Sequence, residues 1–189
     1  MPYRKGRQWD FVPGSHEIPA VFTADQCRQI IALHQGSEPM EVKASTGKDS
    51  YRNTDVFWLP YDSGKYGWIY ERVGEVTERL NDDNYGFELE TCTDLQLARY
   101  MPGQHYDWHT DLGAGGYSRR KLSTVVMLSP ASDYKGGALQ FGGDKFTRTQ
   151  ALAQGSAVLF PSWLRHRVTA VTAGERWTLV GWWLGSPFR

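Results

Sequence analysis

Tyr106, His109 and Asp111 stand in the run Tyr106-Asp107-Trp108-His109-Thr110-Asp111, with His166 and then Arg176 further along the chain. Two imidazoles and one carboxylate can cap one face of an octahedral iron(II), leaving three adjacent positions for a cosubstrate and dioxygen. The same donors would accept manganese, cobalt or nickel. Cysteine is absent from the group, which argues against a closed structural zinc site. An arginine shortly after the last donor suits a cosubstrate that carries a carboxylate, since a planar guanidinium meets a carboxylate through two parallel hydrogen bonds. Each residue also has a plainer role open to it. His-x-Asp occurs by chance in many chains, as a strand-end histidine bonded to a nearby carboxylate. His166 could be a satisfied core histidine, and Arg176 an exposed arginine in a Gly174-Glu175 turn.

The elements that must position these residues differ between the two parts of the chain. Thr23-Ala24-Asp25-Gln26 has the form of a capping box, and Cys27, Ile30, Ile31 and His34 follow at helical spacing before Gly36. Ile69, Val73, Val76 and Leu80 predict a second helix between Lys65 and Leu80, broken by Asn81-Asp82-Asp83-Asn84. Asp55 to Leu59 reads as a strand between them. From Phe87 onward short β-rich runs alternate with turns: Leu95 to Tyr100, His105 to His109, Leu122 to Leu128, Ala138 to Phe141, Ala157 to Phe160, Arg167 to Val171 and Trp177 to Trp183. On a strand, residues i and i+2 share a face, so His109 and Asp111 could reach one ion. The pattern predicts a mostly β chain with flanking helices (α+β) and a jelly-roll, or double-stranded β-helix, core. No βα alternation supports a parallel doubly wound sheet. Residues 1–189 read as one domain, with a mixed helical support region over 1–86 and the jelly-roll core over 87–189.

Composition excludes more than it assigns. Lys+Arg and Asp+Glu both number 21, and no basic stripe appears, so no nucleic-acid partner is expected. No apolar run is long enough to span a bilayer, and Met1-Pro2-Tyr3-Arg4-Lys5-Gly6-Arg7 leads into no signal-peptide stretch. Cys27 and Cys92 lie far apart without metal spacing and read as thiols of a reducing cytoplasm, with a disulfide as the alternative. Among the eight tryptophans, Trp58, Trp108, Trp163, Trp177, Trp182 and Trp183 fall in strand-like stretches, as core or as cleft walls.

Further residues repeat in order around the donors. They are Tyr100-Met101-Pro102-Gly103, Arg120-Lys121-Leu122-Ser123, Gly136-Gly137-Ala138-Leu139, Phe160-Pro161-Ser162, then Val168, Val171, Gly174 and Arg176, and the ending Gly185-Ser186-Pro187-Phe188-Arg189. With them the chain resembles the prolyl 4-hydroxylase-like group of 2-oxoglutarate and iron(II)-dependent oxygenases, in its small bacterial and phage form, from about Leu95 to Arg189. The resemblance implies that His109, Asp111 and His166 bind iron, that Arg176 pairs with the distal carboxylate of 2-oxoglutarate, and that Tyr100 donates a hydrogen bond to that carboxylate. Tyr106 would stand near the iron and shape the pocket as part of the catalytic group. It also implies dioxygen as cosubstrate, ascorbate as an auxiliary reductant, and hydroxylation of an unactivated C–H bond coupled to succinate formation.

A prolyl residue in a peptide or protein is the leading substrate the resemblance implies, and a free amino acid or other small metabolite is the alternative. A non-catalytic ligand-binding jelly roll is the alternative from another class. Ala44 to Thr54, with Tyr51 and Arg52, and the glycine-rich Leu112 to Arg120 read as loops that either close over substrate or are simply solvated. Arg52, Arg119 and Arg120 could serve a peptide or a small molecule. Oligomeric state and regiochemistry are not legible.

Overall fold

The computed structural model describes residues 14–45, 50–143 and 145–187. Parts of three sequence expectations, at Met1 to Arg7, within the 44–54 segment and at Phe188-Arg189, lie outside the described residues. In chain order the elements are β1 (His16–Ile18), α1 (Ala24–Ala32), β2 (Met40–Ser45), β3 (Ser50–Leu59), α2 (Gly67–Leu80), β4 (Thr91–Cys92), β5 (Leu95–Tyr100) and β6 (His105–His109). They continue with β7 (Arg120–Met127), β8 (Tyr134–Gly136), β9 (Leu139–Gly143), β10 (Phe146–Gln150), β11 (Ala157–Pro161), β12 (His166–Val168), β13 (Val171–Gly174) and β14 (Arg176–Leu184).

One antiparallel sheet runs β1-β11-β7-β14-β5-β3-β6-β12-β9-β10, with β2 added on β3 and β4 on β14, while β8 and β13 pair separately. The sheet curls at β3. The same edge of that strand carries β5 along Asp55–Leu59 and β6 at Arg52 and Asn53, so β3 turns one wall into the other. The result is the predicted jelly roll with two helices on its outer face. The first 86 residues contribute β1, β2 and β3 to this sheet.

Period-2 patterning on the β5-β14-β7-β11 wall separates a helix-side core from the barrel interior. On β14, Trp177, Leu179 and Trp183 join the outer core, whereas Arg176, Thr178, Val180 and Trp182 face the interior cavity. On β7, Leu122 and Val126 point outward and Val125 and Met127 inward; on β11, Leu159 points outward and Val158 and Phe160 inward. Fully burying each such large apolar side chain contributes about 1.5–3 kcal/mol.

Helix α1 begins at the expected capping box, with Thr23 Oγ1 accepting from Gln26 N and Thr23 N donating to Gln26 Oε1. Helix α2 buries Ile69, Tyr70, Val73 and Val76 against the outer core. The Tyr70 hydroxyl donates to the Leu59 carbonyl at 2.5 Å and accepts from the Leu95 amide at 2.7 Å, tying the helix to β3 and β5. Tyr70→Phe is expected to leave both buried backbone groups unmatched and to cost about 1–3 kcal/mol. Urea unfolding measures this, and an unchanged midpoint would show that the hydroxyl is dispensable.

Four expectations need correction. Asn81 to Asn84 do not break α2 outright, because a π-helical turn continues over Asn81–Tyr85 and stops at Gly86, φ 67°. The buried Tyr85 hydroxyl reaches the Leu159 carbonyl, and Asn81 brackets Phe87, so tertiary bonds hold that turn in place. Arg167 to Val171 is two strands, since β12 pairs β6 and β9 while β13 pairs β8. The 44–54 segment is largely strand: β2 and β3 pair from Met40↔Val56 to Ser45↔Ser50. Trp163 lies in a turn, not a strand.

Candidate active site

Register sets the two histidines face to face. His166 on β12 is the direct partner of His109 on β6. Asp111 lies past the end of β6, so strand periodicity does not aim it. Its amide and that of Leu112 both donate to the Ser162 carbonyl at 2.9 Å, and this anchor swings the carboxylate inward. His109 Nε2 is 3.7 Å from Asp111 Oδ1, and His166 Nε2 is 3.6 Å from Asp111 Oδ2. Donor atoms of the three residues all fall within 4.8 Å of one another, and all three residues are buried.

The tautomers follow from the partners. His109 Nδ1 meets the Asp107 carbonyl at 2.7 Å, and His166 Nδ1 meets the Leu164 carbonyl at 2.8 Å. A carbonyl only accepts, so each Nδ1 carries the proton and each Nε2 turns its lone pair toward Asp111. Burial first, then the neighbouring His166, pushes the His109 pKa down to about 3, against the pull of Asp111. Burial alone would raise the Asp111 carboxyl; His166, His109 and the hydroxyl of Ser123 outweigh it and hold the group below its ordinary value. Two imidazole lone pairs and a carboxylate thus converge in a buried space, an arrangement that a divalent cation satisfies and a proton does not.

This geometry sets a pH dependence. The folded-state value of His109, about 3, lies below its ordinary 6.5, so the unfolded chain takes up that proton first as pH falls. The contribution of His109 to the stability of the metal-free protein is therefore full above about pH 6.5 and is lost toward pH 3, at most ~1.4 kcal/mol per pH unit. Urea midpoints of chelator-treated protein between pH 7.5 and 5 should fall less steeply in His109→Gln than in the unmodified chain. Equal slopes would remove His109 as the titrating group.

Sequence alone did not single out the support around Asp111. Ser123 Oγ donates to Asp111 Oδ2 at 2.6 Å and shares a 3.0 Å hydrogen bond with Ser162 Oγ. A serine two residues before Val125 and four before Met127, on the same inward face of β7, was the available signal. The Trp182 Nε1–H is buried nearby, close enough to help keep the carboxylate ionised though short of hydrogen-bond geometry. Tyr106 stacks on His109 with ring centroids 3.5 Å apart and planes 9° apart, and the Arg52 guanidinium lies 4.6 Å from the Tyr106 centroid.

At the other end of the same cavity stands Arg176, the first residue of β14, paired in register with Tyr100. It is 1% exposed, which excludes the surface-turn role. Its Nε, Nη1 and Nη2 make no hydrogen bond among the described residues. Burial lowers its pKa, with Tyr100 and Tyr134 opposing; the Tyr134 hydroxyl lies close enough to support the charge though short of hydrogen-bond geometry, and the Tyr100 ring centroid is 5.4 Å from the guanidinium carbon. Gly137 makes this placement possible. Its φ is +60°, and a Cβ there would stand 2.6 Å from the Arg176 Cδ. A buried guanidinium with no carboxylate partner among the described residues calls for an anion, and a dicarboxylate reaching from His109, Asp111 and His166 to Arg176 would supply one.

Beyond the inner cavity lies an open groove of about 430 Å³. Arg52, Gln96, Tyr106, Asp111 and Trp182 line both spaces, so the groove opens directly onto the metal donors. Tyr117 and Arg120 also line it. The glycine-rich segment before Arg120 folds as a 3-10 turn over Gly115–Arg119.

Comparison with known proteins agrees with this geometry. A profile of the 2OG-Fe(II) oxygenase superfamily matches residues 95–184. A PKHD-type hydroxylase of Picosynechococcus sp. is 38% identical over 166 residues, covering 88% of this chain and 76% of that protein. A PKHD-type hydroxylase of Synechococcus elongatus is 38% identical over 181 residues, covering 90% of this chain and 79% of the relative. The chain belongs to the 2OG-Fe(II) oxygenase superfamily, with PKHD-type hydroxylases among its relatives. In fold it is similar to a Pseudomonas putida prolyl-4-hydroxylase, with a TM-score of 0.74, 21% identity and coverage of 92% of this chain and 94% of the other. A Trichoplax adhaerens prolyl hydroxylase in complex with a hypoxia inducible factor peptide fragment superposes with a TM-score of 0.73 at 17% identity, covering 92% of this chain and 84% of the other.

The protein is thus a 2-oxoglutarate-dependent dioxygenase, prolyl 4-hydroxylase-like in fold, that works with iron(II), 2-oxoglutarate and dioxygen. This displaces the non-catalytic binding module. No helix among the described residues is long and apolar enough to cross a membrane.

Proposed function

We propose that this single oxygenase domain hydroxylates a prolyl residue within a peptide or protein, in the cytoplasm. The observation that carries the reading is the open groove beside the metal donors. An extended chain can lie in it, whereas a free amino acid calls for an enclosed pocket. Trp58, Tyr106 and Trp182 present flat apolar faces there, suited to a pyrrolidine ring. The cytoplasmic placement is supported by the free thiols of Cys27 and Cys92.

His109, Asp111 and His166 would hold iron(II), and Arg176 with Tyr100 would hold the distal carboxylate of 2-oxoglutarate. Iron(II) with this cosubstrate supplies the oxidising power that places one oxygen atom in a C–H bond as 2-oxoglutarate becomes succinate and carbon dioxide. The chain's own work is placement. Backbone carbonyls fix both imidazole tautomers, Ser123 steadies the carboxylate, and Tyr106 packs flat on His109. Leu139, Val168 and Val180 keep the inner cavity apolar between its two ends.

The test begins without substrate. Anaerobic protein with iron(II) and 2-oxoglutarate should show a weak visible charge-transfer band, and air should then yield succinate; both should vanish in His166→Ala. Prolyl peptides are screened next for a gain of one oxygen by mass. Succinate formation combined with hydroxylation of free amino acids but of no peptide would overturn the substrate reading. Absence of both band and succinate in folded protein would overturn the site assignment.

A further inference from the structure

The groove carries a charge pattern that the hydroxylase reading does not use. Arg120 stands in it with its guanidinium carbon 4.0 Å from the Trp182 centroid and 4.5 Å from the Tyr117 centroid. It donates a long hydrogen bond, 3.4 Å from Nη1 to the Asp111 carbonyl. The fork is therefore held between two rings with most of its donors directed at the groove. Neighbouring Arg119 is committed elsewhere, donating to Glu90 and to the Gly185 carbonyl, so it does not serve substrate as the sequence allowed. Arg52 also lines the groove, where it donates to Gln96 Oε1 at 2.7 Å.

Among the described residues that line the groove, Asp111 is the sole carboxylate, and its charge belongs to the metal donors. An ammonium group entering here meets the Arg120 guanidinium and, among the described lining residues, no carboxylate but Asp111. A carboxylate meets an aromatic-backed fork in a half-buried setting, where a charge-assisted hydrogen bond is strong. We infer that the substrate is an acidic peptide that presents a carboxylate to Arg120, beside the residue being hydroxylated, with its amino terminus blocked or remote. The inference rests on the hydroxylase reading and narrows it. The carboxylate can come from an Asp or Glu side chain or from the peptide's own C-terminus.

Binding can be read without turnover. Protein loaded anaerobically with manganese(II) and 2-oxoglutarate is titrated with N-acetylated, C-amidated pentapeptides that carry one proline. These carry Glu, Gln or Lys on either side of the proline, and one further peptide ends in a free carboxylate directly after it. Trp58 and Trp182 in the groove report occupancy by fluorescence. The Glu peptide should bind about tenfold or more tightly than its Gln counterpart, as loss of one charge-assisted hydrogen bond implies, and the Lys peptide should bind worst. That preference should shrink toward unity in Arg120→Gln and be partly kept in Arg120→Lys. Tighter binding of the free C-terminal peptide than of the internal Glu peptide would identify the chain end as the carboxylate source.

Equal binding of the Glu and Gln peptides, a preference undiminished in Arg120→Gln, or no peptide binding at all would overturn the inference. Succinate formation without peptide decides the underlying oxygenase reading separately, so the two cannot fail unnoticed together.

Discussion

Asp111→Ala is expected to fold, to hold no metal and to form no succinate. The carboxylate is the only anionic member of the donor group, and it stands between the two imidazole Nε2 atoms. Losing an outer partner of a metal ligand costs about 10–100-fold in affinity or activity, and losing the ligand itself should cost more. The fold should tolerate the change, because Ser123 keeps its bond to Ser162 and the backbone amide of residue 111 keeps its bond to the Ser162 carbonyl. Calorimetric titration with cobalt(II), near-ultraviolet circular dichroism and succinate analysis measure the three parts. Wild-type turnover in a folded Asp111→Ala protein would remove the metal assignment.

Arg176→Met should move stability and binding in opposite directions. In the protein without cosubstrate, Arg176 is a fully buried charge with no hydrogen-bonded partner among the described residues. Replacing buried charge by an apolar side chain of similar length is often neutral or stabilising by about 1–4 kcal/mol. Apparent affinity for 2-oxoglutarate should nevertheless fall about 100-fold or more, since two charge-assisted hydrogen bonds disappear. Thermal melts without ligand should therefore favour the variant. Saturating 2-oxoglutarate should reverse the order, because only the original chain gains from mass action. A variant that is destabilised without ligand and still binds 2-oxoglutarate normally would mean that Arg176 is structural.

What the chain disclosed in advance depended on how strongly each segment is patterned. Leu95 to Tyr100 and His105 to His109 are β5 and β6 to the residue, because buried strands and their turns leave clear marks. Strand β10 is exposed along Phe146 to Arg148, and Ser50 to Thr54 of β3 is a polar run, so neither shows the apolar alternation that betrays a strand. The donors His109, Asp111 and His166 and the guanidinium of Arg176 were visible because their types are rare and chemically specific. The roles of Ser123, Ser162, Gln96 and Trp182 were not, since such residues acquire meaning only from their neighbours. Arg119 and Arg120 make the point most sharply. They are adjacent and chemically identical, yet the end of a 3-10 turn sends one to Glu90 while the start of β7 sends the other to the groove.

The position of β14 has a consequence for how the molecule comes to exist. The last strand in the sequence lies between β5 and β7, in the middle of a wall. Until it arrives, both neighbours present long open edges rich in apolar residues, the kind that recruit other chains. Closure of the wall, delivery of Arg176 to the cavity and loss of those edges are one event, built from pairings far apart in sequence such as Arg176 with Tyr100. Refolding from denaturant should accordingly be slow for a chain of this size and strongly dependent on protein concentration, with cosubstrate binding returning only as the final edges disappear.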